Sequence, residues 1–349
     1  MTPESRLNSL IESIEPVDPA WVDRARARQL QLTKPPGSLG RLEEIANRLA
    51  SIQGTLAPMA SPSKIVLFAG DHGVCAEGVN PYPQAVTAQM VANFLRGGAA
   101  INALARVAGS DLQIVDAGVA FELPVTDGLI CRAVARGTRN FCQEPAMTRE
   151  QAIDAVLLGV EMVGKDYPVL GIGEMGIGNT TSASALTAVL TGLPAASVTG
   201  QGTGAGDDCM RRKISAVERG LALHGTLVSD PIDMLARLGG FEIAGMCGVC
   251  LGAAANKQAV VVDGFISTAA AAVATRIQPH VSDYLFAAHR STEPGHVPLL
   301  EIIGQRPLLD LGMRLGEGTG AALAIPILRA AVEAFTKMAT FESAGVSET

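Results

Sequence analysis

The stretch LGIGEMGIGNTTSASA, residues 170–185, joins three kinds of residue that together indicate a parallel α/β fold. It opens in an apolar run, residues 167–172, that is typical of the end of a buried parallel strand. Its four glycines allow a sharp turn and a close approach of the backbone to a ligand. The Asn, Thr and Ser residues at 179–182 are favoured at the start of a helix. We therefore predict a strand, a glycine-rich turn and a helix, in that order.

The predicted turn has the chemistry of an anion site. Backbone N–H groups and short hydroxyls at the start of a helix converge on a phosphate-sized anion. Glu174 stands inside the same turn, where its carboxylate repels a phosphate unless it faces another part of the ligand. This favours a phosphorylated ligand with a second, cationic or N–H-bearing end. The alternative is that the glycines serve packing alone, as in many α/β proteins.

From Lys64 onward, short apolar runs alternate with helical segments, which predicts a parallel sheet with crossover helices. The fold class expected is a three-layer α/β/α architecture with a mostly parallel, Rossmann-like sheet. Because the carboxyl ends of such strands share one edge, we expect the site at that edge. The candidate strands are KIVLFA (64–69), LQIVDAGV (112–119), PVLGIG (168–173), the start of ASVTGQGTGAGDD (196–208) and AVVVDGF (259–265).

Both chain ends are predicted to be helical. Residues 18–32 suit one helix, and a second is expected to start at Ser38 as N-cap and to stop at Gly54. The apolar spacing of residues 327–338 suits packing against these N-terminal helices. The predicted boundaries are residues 1–60 and 320–349 for a small helical domain and 61–319 for a large α/β catalytic domain.

Composition narrows the class of function. Hydrophobic residues make up 48% of the 349 residues, aromatics only 4%, and there are 38 glycines, which is typical of a close-packed α/β enzyme. The formal net charge of −7 gives no general attraction to nucleic acid or anionic lipid, so a phosphate must be bound locally. The sequence has neither an uninterrupted apolar stretch of about 18 residues nor a secretory signal pattern. We expect a cytoplasmic protein.

No metal or other cofactor is expected. Cys247 and Cys250 have the spacing of a metal or redox pair, but they lie in an apolar run without a second pair, so we interpret them as core thiols. The five histidines are scattered along the chain and show no metal-binding spacing.

Several single residues are candidates for the chemistry. Glu317 lies between glycines just before a predicted helix, where desolvation would raise its pKa and suit it as a general base; the alternative is an acid that complements the helix dipole. Asp71 and His72 follow a strand and are either functional or capping residues. Lys213 is either an anion partner or a solvated side chain, and Ser291 either holds a carboxylate or is an ordinary loop residue.

Eight segments of the chain together resemble nicotinate-nucleotide:dimethylbenzimidazole phosphoribosyltransferases, the family that assembles the nucleotide loop of cobalamin. The likeness runs nearly end to end and keeps the order of the motifs. The segments are KPPGSLGR (34–41), GDHGV (70–74), VTAQMVANFLRGGAAI (86–101), GIGEMGIGNTTSASAL (171–186), GGFEIAGMCGVCLGAA (239–254), VVDGFIS (261–267), HRSTEPGH (289–296) and RLGEGTGAALA (314–324).

This resemblance implies transfer of the 5-phosphoribosyl group of nicotinate mononucleotide to 5,6-dimethylbenzimidazole, and it implies a homodimer. It implies that Glu317 is the catalytic base and that Glu174 lies close to it. By the same likeness, the residues that contact the phosphoribosyl and nicotinate parts are Gly176, Asn179, Thr180, Gly202, Thr203, Lys213 and Ser291. The benzimidazole side is expected to be formed by Tyr82, Met90, Met175 and Leu315.

The sequence leaves open which base is the acceptor and which class of function the site serves. Tyr82 lies in a region where some members of the family carry a small polar residue, and Met90 stands where some have glutamine, so adenine or a phenol is an alternative acceptor. A nicotinamide-dependent dehydrogenase is disfavoured because GIGEMG places Glu174 within the turn and no acidic ribose partner follows at the usual distance. A non-catalytic sensor of phosphoribosyl ligands would share the turn but would not need Glu317.

Overall fold

The computed structural model describes residues 1–202, 204 and 206–347, and it is built on one six-stranded sheet. All neighbouring strands pair in parallel in the order β3-β2-β1-β4-β5-β6, which confirms the predicted α/β fold class. The direction of winding reverses between β1 and β4, and ligands of such sheets bind at that reversal. The strands are β1 Ser63–Gly70, β2 Asp111–Gly118, β3 Leu129–Cys131, β4 Val169–Met175, β5 Ala259–Val262 and β6 Leu285–Ala287.

Helices connect the strands and cover both faces of the sheet. The α-helices are α1 Pro3–Glu12, α2 Pro19–Gln31, α3 Arg41–Gln53, α4 Ala85–Leu95, α5 Ala100–Ala108, α6 Arg149–Glu161, α7 Asn179–Thr191, α8 Ala195–Val198, α9 Asp207–His224, α10 Pro231–Leu238, α11 Phe241–Ala255, α12 Phe265–Ile277, α13 His296–Ile302, α14 Thr319–Lys337 and α15 Phe341–Ala344. Short 3₁₀ helices span Gly73–Glu77, Gly225–Leu227 and Pro279–Tyr284.

The two faces of β1 show how the layers are arranged. Side chains alternate between the faces of a strand, so Ile65 and Phe68 point in opposite directions. Phe68 packs against Gly245 of α11, whereas Ile65 packs beside Gly318 at the start of α14. The sheet therefore lies between α11 on one side and α14 on the other, and its central strands are fully buried.

Two local predictions were wrong. Residues 196–198, predicted as a strand, belong to the short helix α8, because a brief apolar run has the same pattern in a buried helix as in a strand. Ser38 is not the N-cap of α3: a turn precedes that helix, and its N-cap is Gly40, with a φ of 53°. The predicted stop at Gly54 is confirmed, since Gly54 takes the left-handed conformation that ends α3.

The C-terminal helix α14 belongs to the core of the molecule. It contacts α3, as the sequence predicts, and it also contacts α5 and the central strands of the sheet. By length and composition it could cross a membrane, but it passes along the sheet and its most apolar window is 56% buried. The division into domains at residues 60 and 320 therefore stays a prediction, because α14 links the two predicted parts.

Glycines set the spacing between α6 and α11, and one of them offers a stability test. A Cβ at Gly248 would lie 1.9 Å from the carbonyl oxygen of Val156, so Gly248→Ala must push the two helices apart. We expect the free energy of unfolding to fall by about 1–3 kcal/mol, measured by urea denaturation. Gly225→Ala is the control, because Gly225 is helical with open space around it and should tolerate a methyl group. Equal stability of the two variants would contradict the close packing.

Candidate active site

A cavity of about 660 Å³ opens at the carboxyl ends of the strands, on loops that follow β1, β4, β5 and β6 and on the loop before α14. It brings together most of the site residues predicted from the sequence, which come from five separate parts of the chain. Those lining it are Tyr82, Met90, Glu174, Met175, Gly176, Asn179, Thr180, Gly202, Ser291, Leu315 and Glu317. Lys213 is buried behind Gly202, and Thr203 lies outside the described residues.

Glu317 has an unusual backbone and an unusual environment. Its φ is 63°, in the left-handed region that residues other than glycine rarely adopt, and its side chain is buried. Its Oε2 atom has no hydrogen-bond partner among the described residues. Burial, with a smaller contribution from the charge of Asp263, raises the pKa of Glu317 to about 7, while the nearby backbone of Ile101 opposes the shift. A carboxylate of this kind can accept a proton from a ligand near neutral pH.

Glu174 lies near the end of β4 and faces the same cavity. Its carboxylate accepts a hydrogen bond from the Asn179 side-chain amide. Burial, followed by the charges of Asp263 and Glu242, raises the pKa of Glu174 to about 8. Burial therefore favours the protonated form of this carboxyl group near neutral pH.

Part of the glycine-rich turn is already hydrogen-bonded within itself. The Asn179 amide donates to Glu174, and the Asn179 backbone N–H donates to the carbonyl oxygen of Gly176 at 3.2 Å. Gly176 must be a glycine because its Cβ would lie 2.2 Å from the carbonyl oxygen of Gly70. The turn predicted to bind phosphate thus has a fixed shape, and the contact of Asn179 with a phosphate stays a prediction.

The loop around Gly202 is held by charged residues. The Gly202 N–H donates to Glu293 at 2.9 Å, and Arg314 donates to the Gly202 carbonyl oxygen at 2.6 Å. Behind them, the buried Lys213 ammonium donates to the Gly200 carbonyl oxygen at 3.1 Å, and burial lowers its pKa. The loop at this end of the cavity is therefore held by Glu293 and Arg314 in the cavity wall and by Lys213 behind it.

Among the lining residues that the sequence analysis did not assign to the site, four are ionisable: Asp263, His289, Glu293 and Arg314. Asp263 follows β5 and accepts hydrogen bonds from the backbone N–H groups of Gly318, Gly320 and Ala321. The sequence shows Asp263 as a turn residue at the end of a strand, but it does not show that this turn meets the start of α14.

His72 and Asp71, which had two interpretations, both make buried hydrogen bonds, and His72 makes no side-chain capping bond to the 3₁₀ helix that follows it. His72 forms a buried pair with Glu242, with 2.6 Å between Nε2 and Oε1. Asp71 accepts hydrogen bonds from the Thr87 hydroxyl and the Ala120 N–H. Neither side chain lines the cavity, and the Nδ1 atom of His72 has no hydrogen-bond partner among the described residues.

The cysteines predicted as core thiols are buried in α11. Burial raises the pKa of Cys250 to about 12 and that of Cys247 as well, so both thiols stay protonated. Within the described part of the chain, no group of three or more His, Cys, Asp or Glu residues is placed to hold a metal ion.

Comparison with known proteins gives a consistent result. A family model described as phosphoribosyltransferase matches residues 14–346. The nicotinate-nucleotide–dimethylbenzimidazole phosphoribosyltransferase of Geobacter sulfurreducens is 53% identical over 346 residues, 98% of each chain, and that of Chlorobaculum tepidum is 47% identical over 98% of each chain. The crystal structure of the Thermus thermophilus enzyme is similar, with a TM-score of 0.89 and 49% identity, covering 95% of this chain and 100% of that chain.

The raised pKa of Glu317 predicts a pH-dependent stability. In the folded chain, the carboxyl group of Glu317 keeps its proton up to a pH of about 7, whereas in the unfolded chain it releases the proton near pH 4.5. The stability that the protonated form contributes is therefore lost as the pH rises through that window. Glu317→Gln keeps a neutral group of the same shape. Between about pH 6 and about pH 8.5, we expect the variant to gain on the order of 1 kcal/mol relative to wild type in urea denaturation.

Glu333→Gln is the control for this comparison, because Glu333 is exposed on α14. It should follow the wild-type stability at both pH values. A Glu317→Gln difference that does not change with pH would mean that Glu317 has an ordinary pKa in the folded chain.

Proposed function

The chain belongs to the nicotinate-nucleotide–dimethylbenzimidazole phosphoribosyltransferase family, and we propose that Glu317 is the general base of its reaction. The reaction transfers the 5-phosphoribosyl group of nicotinate mononucleotide to 5,6-dimethylbenzimidazole and yields α-ribazole 5′-phosphate and nicotinate. The observation that carries the proposal for Glu317 is its buried carboxylate, which faces the cavity with one oxygen unpaired among the described residues.

The chemistry requires a base more than an acid. The pyridinium ring of nicotinate mononucleotide leaves C1′ as a neutral ring nitrogen, so departure needs no proton. The benzimidazole attacks C1′ with one nitrogen and would become cationic. A carboxylate that accepts the N–H proton of the other nitrogen during attack prevents this and makes the nucleophile stronger. Attack opposite the leaving group converts the β-glycosidic bond to α.

The two glutamates support a division of roles. Because the pKa of Glu317 is about 7, a substantial fraction is ionised at neutral pH and can accept the proton. Glu174, with a pKa of about 8, mostly keeps its own proton and does not compete as an acceptor. We assign Glu174 to the wall of the site, where it contributes a hydrogen-bonding group next to the base.

The phosphoribosyl and nicotinate parts are assigned to the polar end of the cavity. Lys213 and the Gly202 loop supply a buried cation and backbone groups there. Ser291 is fixed because its backbone N–H donates to His296 at 2.9 Å, which leaves its side chain at the cavity wall. With Gly176, Asn179, Thr180 and Thr203, these residues form the proposed donor site.

The acceptor is assigned to the apolar end. Met90 and Met175 provide polarizable surface for a flat bicyclic ring. Tyr82 and Leu315 are 50% and 55% exposed, so the mouth of this end is wide. A wide, apolar mouth tolerates more than one flat ring, and competition between dimethylbenzimidazole, adenine and phenols will define the preferred acceptor.

Two further proposals rest on the family likeness. Members of this family are expected to form homodimers, and we propose the same state for this chain. We also propose a cytoplasmic location, in keeping with a biosynthetic enzyme that uses nucleotide substrates.

The assignment of Glu317 predicts a specific loss of turnover. With nicotinate mononucleotide and dimethylbenzimidazole, wild type should give equal amounts of α-ribazole 5′-phosphate and nicotinate, detected by mass spectrometry. Glu317→Gln should slow the transfer by about 10²- to 10⁴-fold, the usual loss for a general base, and should still bind the nucleotide.

The exposed Glu333→Gln variant is the matched control and should keep wild-type turnover. Product formation by wild type together with an unimpaired Glu317→Gln variant would contradict the base assignment alone. Binding of the nucleotide without any product from wild type would instead favour a sensor of phosphoribosyl ligands.

A further inference from the structure

Asp263 caps a helix that is far away in the sequence. It follows β5, is only 1% exposed, and uses both carboxylate oxygens on the first turn of α14. Its Oδ2 accepts from the Gly318 N–H at 3.0 Å, and its Oδ1 accepts from the N–H groups of Gly320 at 2.6 Å and Ala321 at 3.2 Å. The N-cap residue of α14 is Gly318, which has no side chain to do this. The capping group of α14 is therefore supplied by the sheet.

This cap also constrains Glu317, the residue just before the N-cap residue Gly318 of α14. Gly316, Glu317 and Gly318 have φ values of 82°, 63° and 81°, so three successive residues are in the left-handed region. For Glu317 that conformation is costly and persists only where the surroundings enforce it. The Gly318 N–H held by Asp263 belongs to the peptide unit that follows the Cα of Glu317. Fixing this peptide fixes the direction in which the Glu317 side chain leaves the backbone.

We propose that Asp263 is a positioning residue of the transfer reaction, which holds Glu317 in its left-handed conformation and so aims its carboxylate into the cavity. The proposal rests on the assignment of Glu317 as the base. In this proposal, Asp263 affects the reaction by positioning Glu317, although Asp263 itself also borders the cavity.

The charges around Asp263 add a second, electrostatic consequence. The His289 ring is the nearest cation-forming group, with 3.9 Å between its Nε2 and Oδ1 of Asp263, and the neighbouring carboxyl groups are Glu174 and Glu317. Burial raises the pKa of Asp263, whereas His289 and the three backbone N–H groups lower it. When ionised, Asp263 raises the pKa of Glu317 and makes it a stronger base.

Asp263→Asn tests both consequences. The amide has one acceptor oxygen in place of two and no negative charge, so the Gly318 peptide loosens and Glu317 becomes a weaker base. We expect kcat to fall about 10- to 100-fold while KM for nicotinate mononucleotide changes little, as for a small misplacement of a catalytic group. In a pH profile, kcat falls at acid pH as Glu317 becomes protonated. The pH at which half of kcat is lost should be lower in Asp263→Asn than in wild type, because Glu317 no longer has the charge of Asp263 beside it. Unchanged kcat and an unchanged pH profile would overturn the proposal.

A double variant separates action through Glu317 from direct action on substrate. In a Glu317→Gln background, Asp263→Asn should lower the remaining rate by less than about twofold, because the group that it positions is already gone. The same 10- to 100-fold loss in both backgrounds would overturn the proposal. If Glu317→Gln alone turns over like wild type, the base assignment fails instead, so the two failures are distinguishable.

His289→Gln provides a second test if Asp263→Asn does not fold. This change leaves the three hydrogen bonds of Asp263 in place but removes the ring that favours its ionised form. Asp263 then takes up its proton at higher pH. A protonated Asp263 no longer raises the pKa of Glu317, so the acid-side loss of kcat should move to lower pH, in the same direction as in Asp263→Asn. An acid side that coincides with that of wild type would show that the charge of Asp263 does not reach Glu317.

Discussion

The contact between Gly173 and the loop before α14 decides where the reactive carboxylates meet. A Cβ on Gly173 would lie 2.5 Å from the Gly318 nitrogen and 2.6 Å from the Glu317 carbonyl carbon, so only a glycine lets this loop rest directly on β4. The next residue of β4 is Glu174. The same contact therefore brings Glu317 and Glu174 into one cavity, although they are far apart in the sequence. The sheet, rather than the loop itself, determines the position of Glu317.

Placing carboxyl groups together in the interior has an energetic cost. Glu174, Glu317 and Asp263 are all buried, and their mutual repulsion adds to the loss of hydration. The protein lowers this cost in two ways: Glu174 retains a proton near neutral pH, and Asp263 receives three backbone N–H groups and the proximity of His289. Glu317 has neither compensation in full: its Oε2 atom has no hydrogen-bond partner among the described residues, in keeping with the role proposed for it. A less stable group is accepted where it serves the chemistry.

The parts of the site that could be predicted from sequence are those carried by short motifs. Glu174 and Glu317 each lie between glycines beside a helix start, and three long apolar strands have clear patterns. Asp263, Glu293 and Arg314 were missed because their contacts join residues 55, 91 and 112 positions apart, which no local pattern records. The edge strands β3 and β6 were not predicted for a different reason: each has three residues, which are too few to show the alternation of a strand. The roles assigned to individual residues came from the family likeness rather than from spacing.

The distribution of charge in the cavity also orients the proposed donor. Nicotinate mononucleotide is cationic at its ring nitrogen and anionic at its phosphate, so it fits best where the two signs are separated. Glu317 and the largely protonated Glu174 lie on one side of the cavity, whereas Lys213 and Arg314, together with the carboxylate of Glu293, surround the loop at Gly202. In the proposed arrangement the phosphate is assigned to the Gly202 loop, the positive ring and the C1′ atom to the side of the glutamates, and the acceptor to the apolar mouth at Tyr82. In a chain with a net charge of −7, we expect this local arrangement of charge, rather than any long-range attraction, to orient the proposed donor.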